Sequence, residues 1–265
     1  MEGIIPPLVT PFDHTGRVCE MSVKKLIASL GDHFTALMPV LSSGEGRYLE
    51  AAQWRDMVHY CQKYGGGRAV YPGVIRETTA EVIALARHAL ELNVNGIAVT
   101  TPFGAGVDQP AIYKHFADIA CAINLPIFLY NEELISGNQI QIETFVKLFD
   151  TLPICGVKDS SGEIATFNAI VAAARHIPVF QGWENLAFAS RRGAGYIFPL
   201  ANLECKLCAD IYQNLQAYTQ LQVDEICHQY GLFEEDWYRR IKLELCRRGV
   251  ITTAQSAQDS AALQA

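Results

Sequence analysis

The sequence lacks the features of several large classes of protein. Its 265 residues contain no apolar run long enough to span a bilayer, so no membrane association is expected. The net charge of −7 argues against a nucleic-acid partner, because such binding relies on an excess of positive charge. Charged residues make up only 18% of the chain and hydrophobic residues 50%, which excludes a disordered protein and favours a well-buried α/β fold.

Signals for secretion, metal binding and dinucleotide binding are also missing. The start, Met1-Glu2-Gly3, is acidic and lacks the basic residues and long apolar stretch of a secretory signal, so we expect a cytoplasmic protein. Cys205 and Cys208 form a C-x-x-C pair on one predicted helix, but no second pair or histidine cluster completes a metal site. No G-x-G-x-x-G follows a predicted strand.

Short apolar runs alternate with longer amphipathic stretches along the chain. Strands are predicted at 4–9, 36–41, 69–72, 96–100, 126–130, 154–158, 178–182 and 195–199, with helices at 79–92, 110–123, 140–149, 163–175, 184–192, 222–230 and 234–248. Eight strand–helix alternations within about 215 residues favour a (β/α)8 (TIM) barrel with extra C-terminal helices over an open doubly wound sheet.

No linker divides the chain into two globular domains. We expect a barrel core at 1–203, a helical extension at 204–251 and a disordered tail at 252–265, where bulky apolar residues are sparse.

Lys158 ends the apolar run 152–157, and a polar turn containing glycine follows it. Burial disfavours the charged form of a lysine, and the neutral amine is the nucleophile that forms a Schiff base. The alternative is a lysine that reaches out to solvent from the end of a strand.

Other predicted strand ends also carry polar groups, and in a barrel these ends meet at one face. The second strand runs into Ser42-Ser43-Gly44, whose hydroxyls and backbone N–H groups suit a carboxylate, although an ordinary Ser/Gly turn has the same composition. Tyr130 ends the fifth strand, where its phenol either relays protons near Lys158 or only packs. Glu184 follows the predicted seventh strand, and its alternative interpretation is an acidic residue in the first turn of a helix, where the helix dipole favours it.

Six segments, in order, carry a resemblance to a known family. They are GIIPPLVTPF at 3–12, SSGE at 42–45, TPF at 101–103, LPIFLYN at 125–131, GVKDSSG at 156–162 and GAGYIFPLAN at 193–202. On these residues the chain resembles the dihydrodipicolinate synthase / N-acetylneuraminate lyase family of Schiff-base aldolases, over roughly residues 3–203.

The resemblance implies a mechanism and a set of site residues. Lys158 would form an imine with pyruvate or a related 2-oxo acid, and Tyr130 would move protons. Ser42, Ser43, Gly44 and Ile197 would bind substrate. An aldehyde is the implied second reactant, no metal or diffusible cofactor is required, and a homodimer or homotetramer is expected.

The chain departs from the synthases of the family at two positions. Ile135 aligns with the arginine that binds the carboxylate of their second substrate, and Gly104 aligns with a tyrosine lent by the neighbouring subunit. The stretch Ile135-Ser136-Gly137 is closer to the sugar-acid lyases of the family. Glu132 and Glu133 would repel a polyanionic substrate if they faced the site.

We therefore favour a class I aldolase or lyase of the sugar-acid type, and other readings stay open. The enzyme alternatives are 4-hydroxy-tetrahydrodipicolinate synthase and a 2-keto-3-deoxy sugar acid dehydratase that uses the same imine. A degenerate member that only binds a carboxylate is a further alternative, and so is pyridoxal phosphate held on Lys158, although the chain has no separate phosphate loop.

Overall fold

Parallel strands form the centre of the computed structural model, which describes residues 1–214 and 216–259. In the described residues the strands are β1 Gly3–Ile4, β2 Ala36–Leu37, β3 Ala69–Val70, β4 Ile97–Thr100, β5 Ile127–Asn131, β6 Ile154–Asp159, β7 Val179–Gln181 and β8 Gly195–Tyr196.

Hydrogen bonds close these strands into a barrel. One sheet has the order β1-β8-β7-β6-β5-β4, and β2 pairs with β3. The Val74 N–H donates to the Ala98 carbonyl at 2.7 Å, and the Thr35 N–H donates to the Ile4 carbonyl at 2.8 Å, so both gaps between the two sheets are bridged. The predicted (β/α)8 architecture is confirmed, and the bounds of each strand differ from those of its apolar run by a few residues at most.

Helices surround the barrel and extend beyond it. They are α1 Glu20–Ser29, α2 Ala51–Tyr64, α3 Thr79–Glu91, α4 Gln109–Ala122, α5 Glu133–Ser136, α6 Ile142–Thr151, α7 Ile164–Ala173, α8 Ala201–Gln213, α9 Gln220–Gln229 and α10 Trp237–Arg247. Within the described ranges, no helix combines the length and apolar character needed to cross a membrane.

Local sequence explains where these helices begin. The Thr78 side chain accepts the Glu81 N–H while Glu81 bonds back, which is a capping box at the start of α3. Asp108 caps α4, and Pro110 follows in its first turn, where a missing N–H costs nothing. The predicted helix at 184–192 is wrong: only a 3₁₀ turn, Glu184–Leu186, forms there. Its first residue turns inward, and the Glu184 carboxylate accepts the Leu200 N–H at 2.9 Å.

Two apolar layers hold the barrel together. The outer layer lies between strands and helices, and the inner layer fills the barrel with side chains that include Met38, Phe128, Phe180 and Ile197. The interior is therefore a packed core, and the space for a ligand lies at the end where the strands run out.

The C-terminal region differs from the predicted divisions. The expected boundary at 203 falls inside α8, which packs against β1 and β8 as the eighth barrel helix and carries both Cys205 and Cys208. A disordered tail is wrong for residues 252–259, because Thr253, Ser256 and Ala257 are buried. Hydrogen bonds replace the missing apolar side chains: the Ala257 N–H donates to the Glu45 carboxylate at 2.7 Å. The rest of the predicted tail, 260–265, lies outside the described residues.

Candidate active site

Adjacent strands bring Lys158 and Tyr130 together. Tyr130 on β5 and Lys158 on β6 are register neighbours, so their side chains leave the barrel at the same height. Lys158 Nζ lies 3.2 Å from the Tyr130 hydroxyl oxygen and 4.3 Å from the centroid of its ring. The two groups predicted from separate strand ends form one hydrogen-bonded pair.

Lys158 is only 3% exposed, so it does not reach out to solvent. Burial lowers its pKa to about 8, against the carboxylates of Glu132 and Glu184, which favour the charged form. A sizeable fraction of the amine is therefore neutral near physiological pH, as a Schiff-base nucleophile requires.

Ser42 extends the pair into a chain of three groups. Its hydroxyl oxygen lies 3.1 Å from the hydroxyl oxygen of Tyr130. Burial raises the pKa of Tyr130 well above its ordinary value, so the phenol holds its proton and shares it through hydrogen bonds. Ser42, Tyr130 and Lys158 thus provide a path along which a proton can move.

The other predicted binding residues, Ser43, Gly44 and Ile197, do not line the cavity beside Lys158. The Ser43 hydroxyl donates to the Pro7 carbonyl at 2.6 Å, and the Gly44 carbonyl accepts the Thr10 hydroxyl at 2.6 Å. Ile197 is fully buried in the inner layer, where its N–H donates to the Gln181 carbonyl at 2.9 Å. In this geometry they fix the shape of the surrounding loops.

A cavity of about 330 Å³ opens above Lys158, a volume typical of small-molecule sites. Its lining contains the hydrogen-bonded residues Ser42, Tyr130 and Lys158 together with aromatic, aliphatic and acidic side chains. The full lining is Ser42, Tyr130, Glu132, Leu134, Ile135, Lys158, Ser160, Gly182, Trp183, Glu184, Pro199, Leu232, Phe233, Glu234, Glu235 and Trp237.

Two buried carboxyl groups stand in this cavity, and sequence reasoning did not assign them to it. Glu132 accepts the Leu134 N–H at 3.2 Å, and Glu184 is held by Leu200. Burial raises the pKa of each to about 7, while Lys158 and hydrogen bonds act in the opposite direction. The sequence offered one signal, since each residue stands two positions after the end of a predicted strand.

Part of the cavity wall comes from residues that are distant in sequence from Lys158. Residues 232–237, which we name the 232–237 segment, comprise most of the connection between α9 and α10 and the first residue of α10. They contribute Leu232, Phe233 and Trp237 to the lining. No local pattern in the sequence indicated this contribution.

The departures noted in the sequence have different places in the structure. Ile135 lines the cavity with an apolar side chain. Gly104 does not line it; this residue has a φ of +118° and donates its N–H to the Ser136 carbonyl at 3.0 Å. Among the described residues, Lys158 is the one cation in the lining, and no group of three His, Cys, Asp or Glu side chains could hold a metal ion.

A buried lysine paired with a tyrosine at the strand ends of a (β/α)8 barrel defines a class I aldolase type of enzyme. The sequence profile of the Dihydrodipicolinate synthetase family matches residues 1–257. The chain belongs to this family, and the family, barrel and class of enzyme predicted from the sequence are confirmed.

Individual relatives agree with this assignment. A 4-hydroxy-tetrahydrodipicolinate synthase of Nitrobacter hamburgensis is 32% identical over 218 residues, which cover 79% of this chain and 72% of the relative. A prophage protein of the same family from E. coli, solved with pyruvate, superimposes with a TM-score of 0.87 at 22% identity, covering 100% of this chain and 96% of that one. A 2-keto 3-deoxygluconate aldolase from Picrophilus torridus superimposes with a TM-score of 0.81 at 22% identity, covering 94% of each chain.

Proposed function

We propose that the protein is a class I aldolase or lyase in which Lys158 forms an imine with pyruvate or a related 2-oxo acid. The observation that carries this proposal is the buried Lys158–Tyr130 pair facing the cavity, with Nζ 3.2 Å from the phenol oxygen. A binding module has no need of a desolvated lysine beside a phenol. The pyruvate bound to the E. coli relative supports the choice of 2-oxo acid.

Imine formation uses the hydrogen-bonded chain directly. The Nζ lone pair of neutral Lys158 attacks the keto carbon, and the keto oxygen takes a proton to give a carbinolamine. That hydroxyl then leaves as water after a second protonation, and the protonated imine remains. Tyr130 donates both protons: it recovers the first from the amine, which loses one proton as the carbinolamine forms, and the second from solvent water through Ser42.

The protonated imine is the electron sink for the bond-forming step. Loss of a proton from the adjacent carbon gives an enamine, whose carbon attacks the carbon of an aldehyde. The aldehyde oxygen takes a proton, and water then hydrolyses the imine and releases the product and Lys158. Cleavage of a 2-oxo acid follows the same steps in reverse. Because the imine supplies the electrophile, no metal or diffusible cofactor takes part.

The loop after β2 is proposed to hold the carboxylate of the 2-oxo acid. Ser42 offers a hydroxyl at the cavity wall, and Ser43 and Gly44 shape the backbone beside it. Ile197 packs beneath, among the same buried residues as Tyr130.

A sugar-acid type of reaction fits the second half of the cavity better than dihydrodipicolinate synthesis. The curated relatives favour the synthase by name. Ile135 and Gly104 oppose it, because the chain lacks both the carboxylate clamp and the second phenol of the synthases. We also propose that the protein is cytoplasmic, because all eight cysteines are free thiols, as in a reducing compartment. A homo-oligomer is proposed on the resemblance to the family alone.

Borohydride trapping tests the proposal. Protein is incubated with pyruvate, reduced, and analysed by intact mass and peptide mapping. We expect a reduced pyruvate adduct on Lys158 that is absent in Lys158→Ala and retained in Lys147→Ala, a control at a surface lysine of α6. If pyruvate and several other 2-oxo acids all leave the folded protein unmodified, the proposed aldolase is wrong and a carboxylate-binding protein remains.

A further inference from the structure

We propose that Glu132 selects the second reactant, so that the enzyme accepts aldehydes without a negative charge and rejects those bearing a carboxylate or phosphate. This inference rests on the proposed function and goes further, because it names a specificity-determining residue and the chemical class that the residue admits.

The position of Glu132 places its carboxyl group beside the reacting atoms. It follows β5 directly, two residues after Tyr130, and lines the same cavity as Lys158. The side chain is only 6% exposed, and the Leu134 N–H holds one carboxyl oxygen at 3.2 Å. It is close enough to Tyr130 and Lys158 to shift the pKa of both. A reactant that approaches an enamine on Lys158 therefore meets this carboxyl group.

Once the imine has formed, the cavity lining has an excess of negative charge. The positive charge of the imine is opposed by the carboxylate of the 2-oxo acid itself. Glu132 and Glu184 remain, with Glu234 and Glu235 at the exposed edge, and Lys158 is the one cation that lines the cavity among the described residues. A second anion would have no partner here, and an unpartnered like charge in a desolvated site costs several kcal/mol.

Ile135, which also lines the cavity, offers no compensation. Ile135 presents an apolar side chain, so nothing clamps a second carboxylate. A hydroxyl group, in contrast, donates to an ionised Glu132 or accepts from a protonated one. Burial keeps the pKa of this carboxyl near 7, so both forms are present at neutral pH.

A pair of aldehydes that differ in charge tests the inference. Succinic semialdehyde and its methyl ester are each condensed with pyruvate, and kcat/KM for the aldehyde is measured. For the native enzyme we expect kcat/KM for the neutral ester to be higher than kcat/KM for the anionic aldehyde by about tenfold or more. Glu132→Gln and Glu132→Val should each reduce that ratio by about fivefold or more, through KM for the anionic aldehyde.

Glu133→Gln is the matched control. Glu133 is the next residue, and its replacement by Gln removes the same charge. Its side chain is exposed, accepts a hydrogen bond from Gln139 Nε2 at 2.8 Å and does not line the cavity. In this variant the ratio of kcat/KM for the ester to kcat/KM for the anionic aldehyde should equal that of the native enzyme.

The borohydride adduct with pyruvate, measured in every variant without aldehyde, separates the two proposals. Absence of the adduct in the native enzyme contradicts the proposed function. An adduct together with equal use of both aldehydes, no condensation with either, or an unchanged ratio in both Glu132 variants overturns the role of Glu132 alone.

Discussion

At the scale of single residues, the cavity gathers groups whose charged forms are all penalised by burial. The pKa of Lys158 falls to about 8 while those of Glu132 and Glu184 rise to about 7. The three values converge near neutrality, where a proton passes between them at little cost in free energy. Convergence of this kind is typical of a catalytic site and unfavourable for stability.

Glu184 gives a test of that cost. Its pKa in the folded protein, about 7, lies above its ordinary value of 4.5, so the folded state keeps a proton that the unfolded state loses between these pH values. Stability due to this group therefore falls as pH rises from 4.5 to 7. Glu184→Gln, which can still accept the Leu200 N–H, should be more stable than the native protein by up to roughly 3 kcal/mol at pH 8, with no gain near pH 4.5.

Urea unfolding at several pH values measures this difference. Glu225→Gln, an exposed position on α9, is the control and should follow the native protein at every pH. A Glu184→Gln variant whose stability relative to the native protein does not change with pH would contradict the assignment.

At the scale of secondary-structure elements, a buried ion pair connects α10 to the loop after β2. Lys242 on α10 donates to Glu45, which follows Ser42 and Ser43, and both side chains are inaccessible to solvent. Lys242 also donates to the Gln255 carbonyl at 2.8 Å. The Lys242–Glu45 pair thus connects the loop after β2 with α10 and with residues 255–257.

Removing one member of this pair should be costly. Lys242→Met leaves a buried carboxylate without its cation, and we expect a loss of about 3–5 kcal/mol in the free energy of unfolding. The double variant Glu45→Gln/Lys242→Met should regain part of that loss, since no uncompensated charge remains. Denaturant titration of the native, single and double variants checks this; a double variant less stable than Lys242→Met would show that the pair is not the source of the cost.

At the scale of the whole molecule, closure of the barrel depends on one close backbone approach. Gly3 of β1 pairs with Gly195 of β8, and Gly195 has a φ of +149°. A Cβ atom at Gly195 would overlap the Gly3 backbone, so a side chain here opposes contact between the first and last strands.

Gly195→Ala should therefore lower the free energy of unfolding by about 2–5 kcal/mol, from the sum of backbone strain and overpacking. Gly162→Ala is the control, because that glycine has a φ of +78° with open space around it, and its cost should be about 1 kcal/mol. Thermal and urea unfolding measure both; equal losses in the two variants would remove the argument from barrel closure.

Sequence predicted the parts of this molecule that depend on local pattern. Each apolar run marks a strand, and Ser42, Tyr130 and Lys158 could be found because each stands where a run ends. A carboxylate in the same position has the same local pattern whether it faces solvent or a cavity, so the orientation of Glu132 and Glu184 could not be predicted. The 232–237 segment reaches the cavity only through tertiary contacts, which no local periodicity records.

The 232–237 segment lies far in sequence from the residues proposed to carry out the chemistry. The proposed imine chemistry uses Tyr130 and Lys158 on strands in the middle of the sequence, whereas this part of the cavity wall comes mainly from a short connection between two late helices. Insertions, deletions or exchanges in that connection alter the space offered to the second reactant and leave the barrel strands untouched. Changes confined to these six residues therefore alter which second reactant fits, while the proposed covalent step on Lys158 stays the same.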